Sequence, residues 1–380
     1  MNERVAIIGI GIEGFRSQIR ELSYKEMVYN AAVKAYNDAD DLDPRTEVDT
    51  FISCEEDLNM GVSITDEYAP DQLGAAQRTV HTITDDGITG IAAGYMQIKT
   101  GLFDVAVIEA QSRNSDILTH NNIQNFALDP LETRNFNVNY HFTAGLEKRA
   151  YMNDTKITEE MIAEVTVRNH KNALKNPYAA FGSNIDKEHV LSTEMICDPI
   201  REIEIAKPVD GAIVIVIAAE KIVKEKNVNP IWINGITYAT NSPNFGTRNW
   251  NEAEYAKICS RKLYELNNIT NPLNEIDIYE IDNTYSYKEF QHLEGLGIYE
   301  KGESGKKLLN DEYANINPSG GVLGMGNAHE ANGLQRVSEI VEQLRGEAGR
   351  RQIKGVEKGL AFSWRGLPTT SGAMMMMGVE

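Results

Sequence analysis

Four short stretches carry residue types suited to proton transfer or to stabilising negative charge. Thr84-Asp85-Asp86-Gly87 places two adjacent carboxylates where a helical stretch begins. Thr and Asp there serve as helix N-caps, accepting backbone N–H bonds and favouring the helix dipole. The functional alternative makes Asp85 or Asp86 an acid/base, since a carboxylate in a partly buried pocket has a raised pKa suited to moving a proton. Asp282-Asn283 directly follows the strand-like Ile278–Ile281, where α/β folds tend to place their sites. It reads either as a solvated strand-end turn or as a base at Asp282. Asn327 can donate an amide hydrogen bond to a developing oxyanion, and His329 is a general base or a loop residue. Gly320, Gly321, Gly324 and Gly326 permit close backbone approach, either to a ligand or to another loop.

The elements that must position these residues alternate between strand and helix, which implies a sheet with helices on its faces. In the first half, strand Arg4–Ile10 precedes helix Tyr24–Ala39, strand Thr50–Cys54, a helix from Gly87 to Thr100, and strand Phe103–Ile108. In the second, strand Ile231–Ile236 precedes a helix from Asn251 to Leu266, strand Ile278–Ile281, helix Gly333–Leu344 and strand Gly359–Ser363. Asp43-Pro44-Arg45-Thr46-Glu47-Val48-Asp49 and Asn271-Pro272-Leu273-Asn274-Glu275-Ile276-Asp277 stand at the same place in the two series. The frame [D/N]-P-x-x-E-[V/I]-D therefore marks a duplication, with halves 1–230 and 231–380. Residues 111–200 read as a helical, loop-rich insertion covering the first half, with Ile157–Ala173 its clearest helix. Met374–Met377 reads as core packing on a terminal strand.

Composition narrows the function classes. With 37 Lys+Arg against 56 Asp+Glu, the formal charge of −19 argues against a nucleic-acid or anionic-membrane binder. The longest apolar run, Ala212–Ala219, is far short of the roughly 20 residues that span a bilayer. Met1-Asn2-Glu3-Arg4 runs straight into a strand with no charged-then-apolar leader. Cys54, Cys197 and Cys259 lie far apart with no CxxC, which suggests neither a disulfide framework nor a cysteine metal site. A reduced, cytoplasmic protein without a metal is expected. His81 and His141 stand alone and read as structural, and Glu55, Glu56 and Asp57 beside Cys54 argue against a reactive thiolate.

Several further segments, spread over both halves, resemble the thiolase superfamily in its sterol-carrier-protein-type and archaeal acetyl-CoA acetyltransferase branch. They include Tyr95–Gly101, Asp198-Pro199-Ile200-Arg201 before Pro208–Ala212, Leu293–Gly297 with Glu300–Glu303, and Asn317-Pro318-Ser319-Gly320-Gly321-Val322-Leu323-Gly324-Met325-Gly326. The resemblance implies a duplicated five-layer αβαβα fold, usually dimeric, that handles coenzyme A thioesters. It also places the family's nucleophilic cysteine at Thr84, in a C-A-S-G-like stretch. The family's H-D-C-F-like stretch falls on Asp282-Asn283-Thr284-Tyr285, and the histidine of its G-H-P-like loop on Asn327. The C-terminal glycine-rich loop is altered too, reading Ser363-Trp364-Arg365-Gly366-Leu367-Pro368-Thr369-Thr370-Ser371-Gly372-Ala373.

A threonine hydroxyl without an activating base is a far weaker nucleophile than a thiolate, and two neighbouring carboxylates oppose a further anion. The expectation is therefore an acyl-CoA protein that acts on a carbon–carbon bond without a cysteine acyl-enzyme, by aldol-type cleavage or condensation of a 3-hydroxyacyl-CoA. Asp282 or Asp85 serves as base and Asn327 or His329 as oxyanion donor, with Thr84 beside them. Gly320, Gly321, Gly324 and Gly326 approach coenzyme A, which enters as a substrate moiety. The alternative is a silent subunit or scaffold paired with an active thiolase. The expected partners are a second copy or a thiolase paralogue, and a small chain with an OB fold and a zinc ribbon.

Overall fold

The computed structural model describes residues 3–57, 64, 67–117, 120–136, 139, 141–366 and 370–380. Its principal strands and helices in chain order are β1 (Val5–Arg16), α1 (Tyr24–Asp38), β2 (Thr50–Cys54), β3 (Thr79–Ile83), α2 (Gly87–Lys99), β4 (Val105–Arg113), α3 (His120–Ala127), α4 (His141–Thr155) and α5 (Glu159–Ala173). There follow β5 (Asp210–Ala219), β6 (Ile231–Thr240), α6 (Glu254–Asn267), β7 (Ile278–Ile281), α7 (Ser286–Gly295), α8 (Ala331–Arg345), β8 (Lys358–Arg365) and β9 (Ser371–Gly378). Hydrogen bonding joins the strands in the order β3-β2-β4-β5-β1-β6-β9-β8-β7.

Among the described residues, the two parts of this sheet meet only where Ala6 and Ile7 of β1 pair with Trp232 and Ile231 of β6. Strand alternation then builds three cores, because successive side chains point to opposite faces. On β5, Ile213, Ile215 and Ile217 face inward onto Ile88 and Ile91 of α2 and Leu334, Val337 and Ile340 of α8. Val214 and Val216 face outward onto Met27, Ala31 and Ala35 of α1. On β9, Met375 and Met377 share the inner core, whereas Met374 and Met376 join Tyr255, Leu263 and Phe290 of α6 and α7. The layers are thus α1, sheet, α2 with α8, sheet, and α6 with α7. This is the expected five-layer arrangement.

The duplicated heptad makes the same bonds twice. The N–H of Asp43 bonds the Glu47 carboxylate at 2.7 Å, and the N–H of Asn271 bonds Glu275 at 2.6 Å. Asp49 Oδ2 accepts from the N–H groups of Asp104 and Val105, and Asp277 Oδ2 from those of Glu357 and Lys358. In both cases one carboxylate closes the turn and another docks it on the neighbouring strand. The fifth strand position of the second half is reduced to a single bridge between Tyr279 and Ile316.

The segment expected to cover the first half packs elsewhere. Ala144, Tyr151, Ile162 and Val165 of α4 and α5 belong to the core of α6 and α7, in the second half. The cause lies in the polar face of α5 as well. Arg168 and Asn169 both donate to Glu289 of α7 at 2.8 Å. Among the described residues, no helix is long and apolar enough to cross a membrane.

Candidate active site

Asp86 caps α2, its Oδ1 accepting from the N–H of Ile88 at 2.9 Å. This anchors the preceding turn, so that Asp85 is half-buried and Thr84 exposed beside the helix N-terminus. Asp85 Oδ1 accepts the N–H of Asp86 at 2.8 Å. The end of β8 meets this turn: Arg365 donates to the Thr84 carbonyl and pairs with Glu56. Asp85 and Glu330 add to the negative charge around that guanidinium.

The loop before α8 forms a second wall. Asn327 Oδ1 accepts from the N–H of His329 at 3.0 Å and from Asn332 Nδ2 at 2.7 Å. Both acceptor directions of the amide are thereby used, and its Nδ2 remains as a donor without a partner among the described residues. Burial, then His120 and Arg365, pushes the His329 imidazole down to about 4, so the ring is neutral near pH 7. The His120 ring stacks against it with centroids 6.3 Å apart. A third wall follows from the extended segment 205–209, which bridges Tyr285 through Ile205 and Asn327 through Pro208. Tyr285 makes an edge contact with Trp364, the residue before Arg365, and its hydroxyl meets His141 Nδ1 at 2.9 Å. Thr84, Asp85, Asn327, His329 and Arg365 are thus drawn to one rim, with Tyr285 and His141 behind it.

Asp282 does not join that rim. It is 0% exposed and ion-paired with Arg336 of α8, which is itself 1% exposed. Its other oxygen accepts the N–H of Thr284 at 2.9 Å. Asp282, expected as a proton acceptor, is instead enclosed by Arg336 and a backbone donor, away from that rim. Asn283 is likewise internal, its Oδ1 accepting from the N–H of Val322 at 2.7 Å and its Nδ2 donating to Glu289 at 2.8 Å.

The four glycines make their close approach within the protein. All are buried, and the protein's own atoms fill the space a side chain would take. Ala173 fills it at Gly320 and Gly324, the Asn283 amide at Gly321, and Val209 at Gly326. They allow α5 and two strand-end loops to approach the short helix Gly321–Met325.

Residues missed by sequence reasoning are chiefly the basic ones. Arg336 follows Gly333 and precedes Val337 and Ile340 on one inward face, so a lone arginine in an apolar stripe was the available signal. His141 is no isolated residue, since it meets Tyr285. Beneath the rim, Glu147 accepts from Tyr287 at 2.7 Å and pairs with Lys288 at 2.5 Å and Arg248 at 3.1 Å. Burial pushes the Lys288 amine down to about 8, and Glu147 opposes that shift. The thiols are enclosed: Cys54 lies under Gly90 of α2 with its pKa raised by burial, and Cys259 is buried in α6. Of the three, only Cys197 is partly exposed, in a short strand packed on α4.

One pH effect arises here. Burial, then Glu339, pushes the Glu280 carboxyl up to about 8, while Ser319 donates to it twice. The folded state therefore holds a proton that the unfolded chain releases near its ordinary value of 4.5. Stability from this group is fully present below that value and is lost as pH rises through about 8. Glu280→Gln is expected to flatten the fall in stability between pH 5 and 8, read by urea denaturation at each pH. An unchanged slope contradicts the assignment.

Comparison with known proteins supplies the last findings. Residues 250–377 match the family model described as thiolase C-terminal domain-like. The chain is 25% identical over 384 residues to an acetyl-CoA acetyltransferase of Methanothermobacter thermautotrophicus, covering 97% of each chain. It is 28% identical over 223 residues to sterol carrier protein 2 of Bos taurus, covering 56% of this chain and 41% of that protein. Among solved structures, "Ltp2-ChsH2(DUF35) aldolase" superposes with a TM-score of 0.83 at 19% identity, covering 99% of this chain and 97% of that one.

Proposed function

We propose that this chain, which belongs to the thiolase superfamily in its sterol-carrier-protein-type branch, makes or breaks a carbon–carbon bond in an acyl-CoA without forming an acyl-cysteine. The observation that carries the reading is the rim itself. A half-buried carboxylate, an amide donor with its acceptor side occupied and a neutral imidazole converge at a helix N-terminus, where the thiol of Cys54 is fully buried. The aldolase named among the similar structures favours the same class of reaction for this chain.

In the cleavage direction, Asp85 accepts the proton of the 3-hydroxyl of a 3-hydroxyacyl-CoA. The C2–C3 bond breaks, its electron pair moves to the thioester carbonyl, and C3 leaves as a carbonyl compound. The enolate oxygen accepts hydrogen bonds from Asn327 Nδ2 and from the neutral His329 ring, and a proton delivered to C2 completes the shortened acyl-CoA. A neutral imidazole suits this donor role because it stabilises the oxyanion without first surrendering a proton. Thr84 contributes its hydroxyl at the rim, and Arg365 offsets the charge of Asp85 and Glu330. Asn327→Ala is expected to lower kcat about 10²–10³-fold, the usual cost of one oxyanion donor. A loss below threefold contradicts its role.

A cysteine acyl-enzyme, by contrast, exchanges acetyl groups between acetyl-CoA and labelled free CoA. The proposal expects no such exchange, and iodoacetamide treatment of the folded protein should leave carbon–carbon cleavage intact. Exchange abolished by iodoacetamide overturns the proposal. The halves are taken as 1–230 and 231–380, and the assembly as a dimer or a complex with a paralogue in the cytoplasm. The two-component name of the similar aldolase favours a second chain, for which we propose a small OB-fold, zinc-ribbon partner. A second reading, a silent subunit, draws on the ion pairing of Asp282, which is what a purely structural remnant presents.

A further inference from the structure

Three loops meet at the proposed site, and each comes from a different part of the chain: the turn before α2, the end of β7 and the loop before α8. Loops need a fixed reference to hold catalytic groups to within about half an ångström of a productive geometry. The backbone supplies one tie, from the N–H of Gly87 to the carbonyl of Glu330 at 2.9 Å. Arg365 adds a second at Thr84, segment 205–209 bridges the loops bearing Tyr285 and Asn327, and a further set of ties runs through one buried side chain.

Arg336 projects from the second turn of α8 into the interior, 1% exposed. One arm of its guanidinium pairs with Asp282, which follows β7. The other donates to Ser363 Oγ of β8 at 2.7 Å. Ser363 in turn bonds the Asp86 carboxylate, the cap of α2. Asp86 rests in the notch left by Gly333, one turn before Arg336, where any Cβ would collide with it. Arginine suits this place because its planar fork addresses two directions at once, which a lysine ammonium on a flexible stem does not.

We propose that Arg336 is the positioning residue of this site: through Asp282 and through Ser363 and Asp86, it fixes the turn bearing Asp85 and the loop bearing Tyr285 relative to Asn327, in the loop that leads into its own helix. The inference rests on the function proposed above, but its structural half stands apart from any activity. Two buried carboxylates that face one guanidinium stay ordered only while that charge is present, since removing one partner leaves the others uncompensated. Burial raises the Asp86 carboxyl to about 6, and Arg336 is the chief influence holding it down. The other charged and titratable groups facing this cluster are Asp85 and Cys54 from the α2 side, Glu280 from β7, and Lys288, His292 and Tyr255 from α7 and α6.

The test uses the full chain with Arg336→Met, Arg336→Lys and the charge-free triple Asp86→Asn/Asp282→Asn/Arg336→Met. Backbone hydrogen exchange is measured first. In Arg336→Met, protection is expected to fall together in 84–90 and 281–288, with that of α1 unchanged. Loosening confined to α8 overturns the proposal. Turnover of a 3-hydroxyacyl-CoA is then followed from pH 5 to 8. Arg336→Met is expected to lose at least about 100-fold, mostly in kcat, and to move the acid limb of its profile to higher pH. Arg336→Lys should retain the fold, lose at least tenfold and keep the limb nearer its original place. Should Arg336→Met fail to fold, the triple variant decides: wild-type turnover from it, or from Arg336→Lys, overturns the positioning role. If the unmodified protein turns over no acyl-CoA, the function reading fails while the exchange result still judges the structural coupling.

Discussion

Asp85→Asn is expected to lower carbon–carbon cleavage about 10²–10⁴-fold, the range associated with losing a general base. The expectation follows from elimination among carboxylates. Asp282 is sealed against Arg336, and Asp86 is committed to the α2 cap and Ser363. Asp85 alone of the three is half-buried at the rim, with one oxygen bonded to the N–H of Asp86 and the other free of that bond. Asparagine preserves the size and the hydrogen-bond acceptor but takes no proton at neutral pH. The loss should therefore fall on kcat with KM little changed, and thermal stability should stay within a degree or two of the parent. Activity within threefold of the parent transfers the base to another group, with Tyr285 and its His141 partner the next to test.

The second large effect concerns stability. Glu289 of α7 is 0% exposed and accepts five bonds. Arg168 and Tyr313 share Oε1, at 2.8 and 3.0 Å. Asn169, Asn283 and Asn317 all meet Oε2 at 2.8 Å. One carboxylate thereby ties α5, the loop after β7 and the Asn317–Gly321 turn into a single unit. Glu289→Ala leaves a guanidinium and three amides facing a void, and breaking a buried pair from one side costs about 3–5 kcal/mol. Urea denaturation should show a loss of that size, with Glu289→Gln milder because it keeps acceptor capacity. A loss under about 1 kcal/mol contradicts the hub, since that is the scale of an exposed pair.

The fold was legible because its signals are local. The Asp43–Asp49 and Asn271–Asp277 frames each carry a glutamate that closes its own turn, so the duplication shows in sequence and in bonding alike. β2 and β7 span the expected Thr50–Cys54 and Ile278–Ile281, and the other expected strands and helices differ mainly at their ends, with β1 running on to Arg16. The insertion was misplaced because its destination depends on Arg168 and Asn169 finding Glu289, a pairing more than a hundred residues away that no periodicity reveals.

The site was legible in part. Resemblance located Thr84, Asp282 and Asn327, and the structure puts Thr84, Asn327 and the shifted His329 around one rim. It could not tell an accessible carboxylate from one locked in an ion pair, because Asp85 and Asp282 differ only in what faces them. The glycines left two readings open, a ligand or another loop. Their close approach is real, but it is made to Ala173, Asn283 and Val209. Of the altered C-terminal stretch, Leu367-Pro368-Thr369 lies outside the described residues, while Arg365 joins the site.

The most direct measurement is product analysis by mass spectrometry after the purified protein meets mixed 3-oxoacyl- and 3-hydroxyacyl-CoAs, with and without free CoA and with the small partner supplied. Cleavage of a 3-hydroxyacyl-CoA to a shortened acyl-CoA and a carbonyl compound in equal amounts, without consuming CoA, is the result expected. CoA-dependent cleavage of the 3-oxoacyl-CoA with an acyl adduct on the protein would contradict the account. No turnover under any condition would leave the chain a silent subunit.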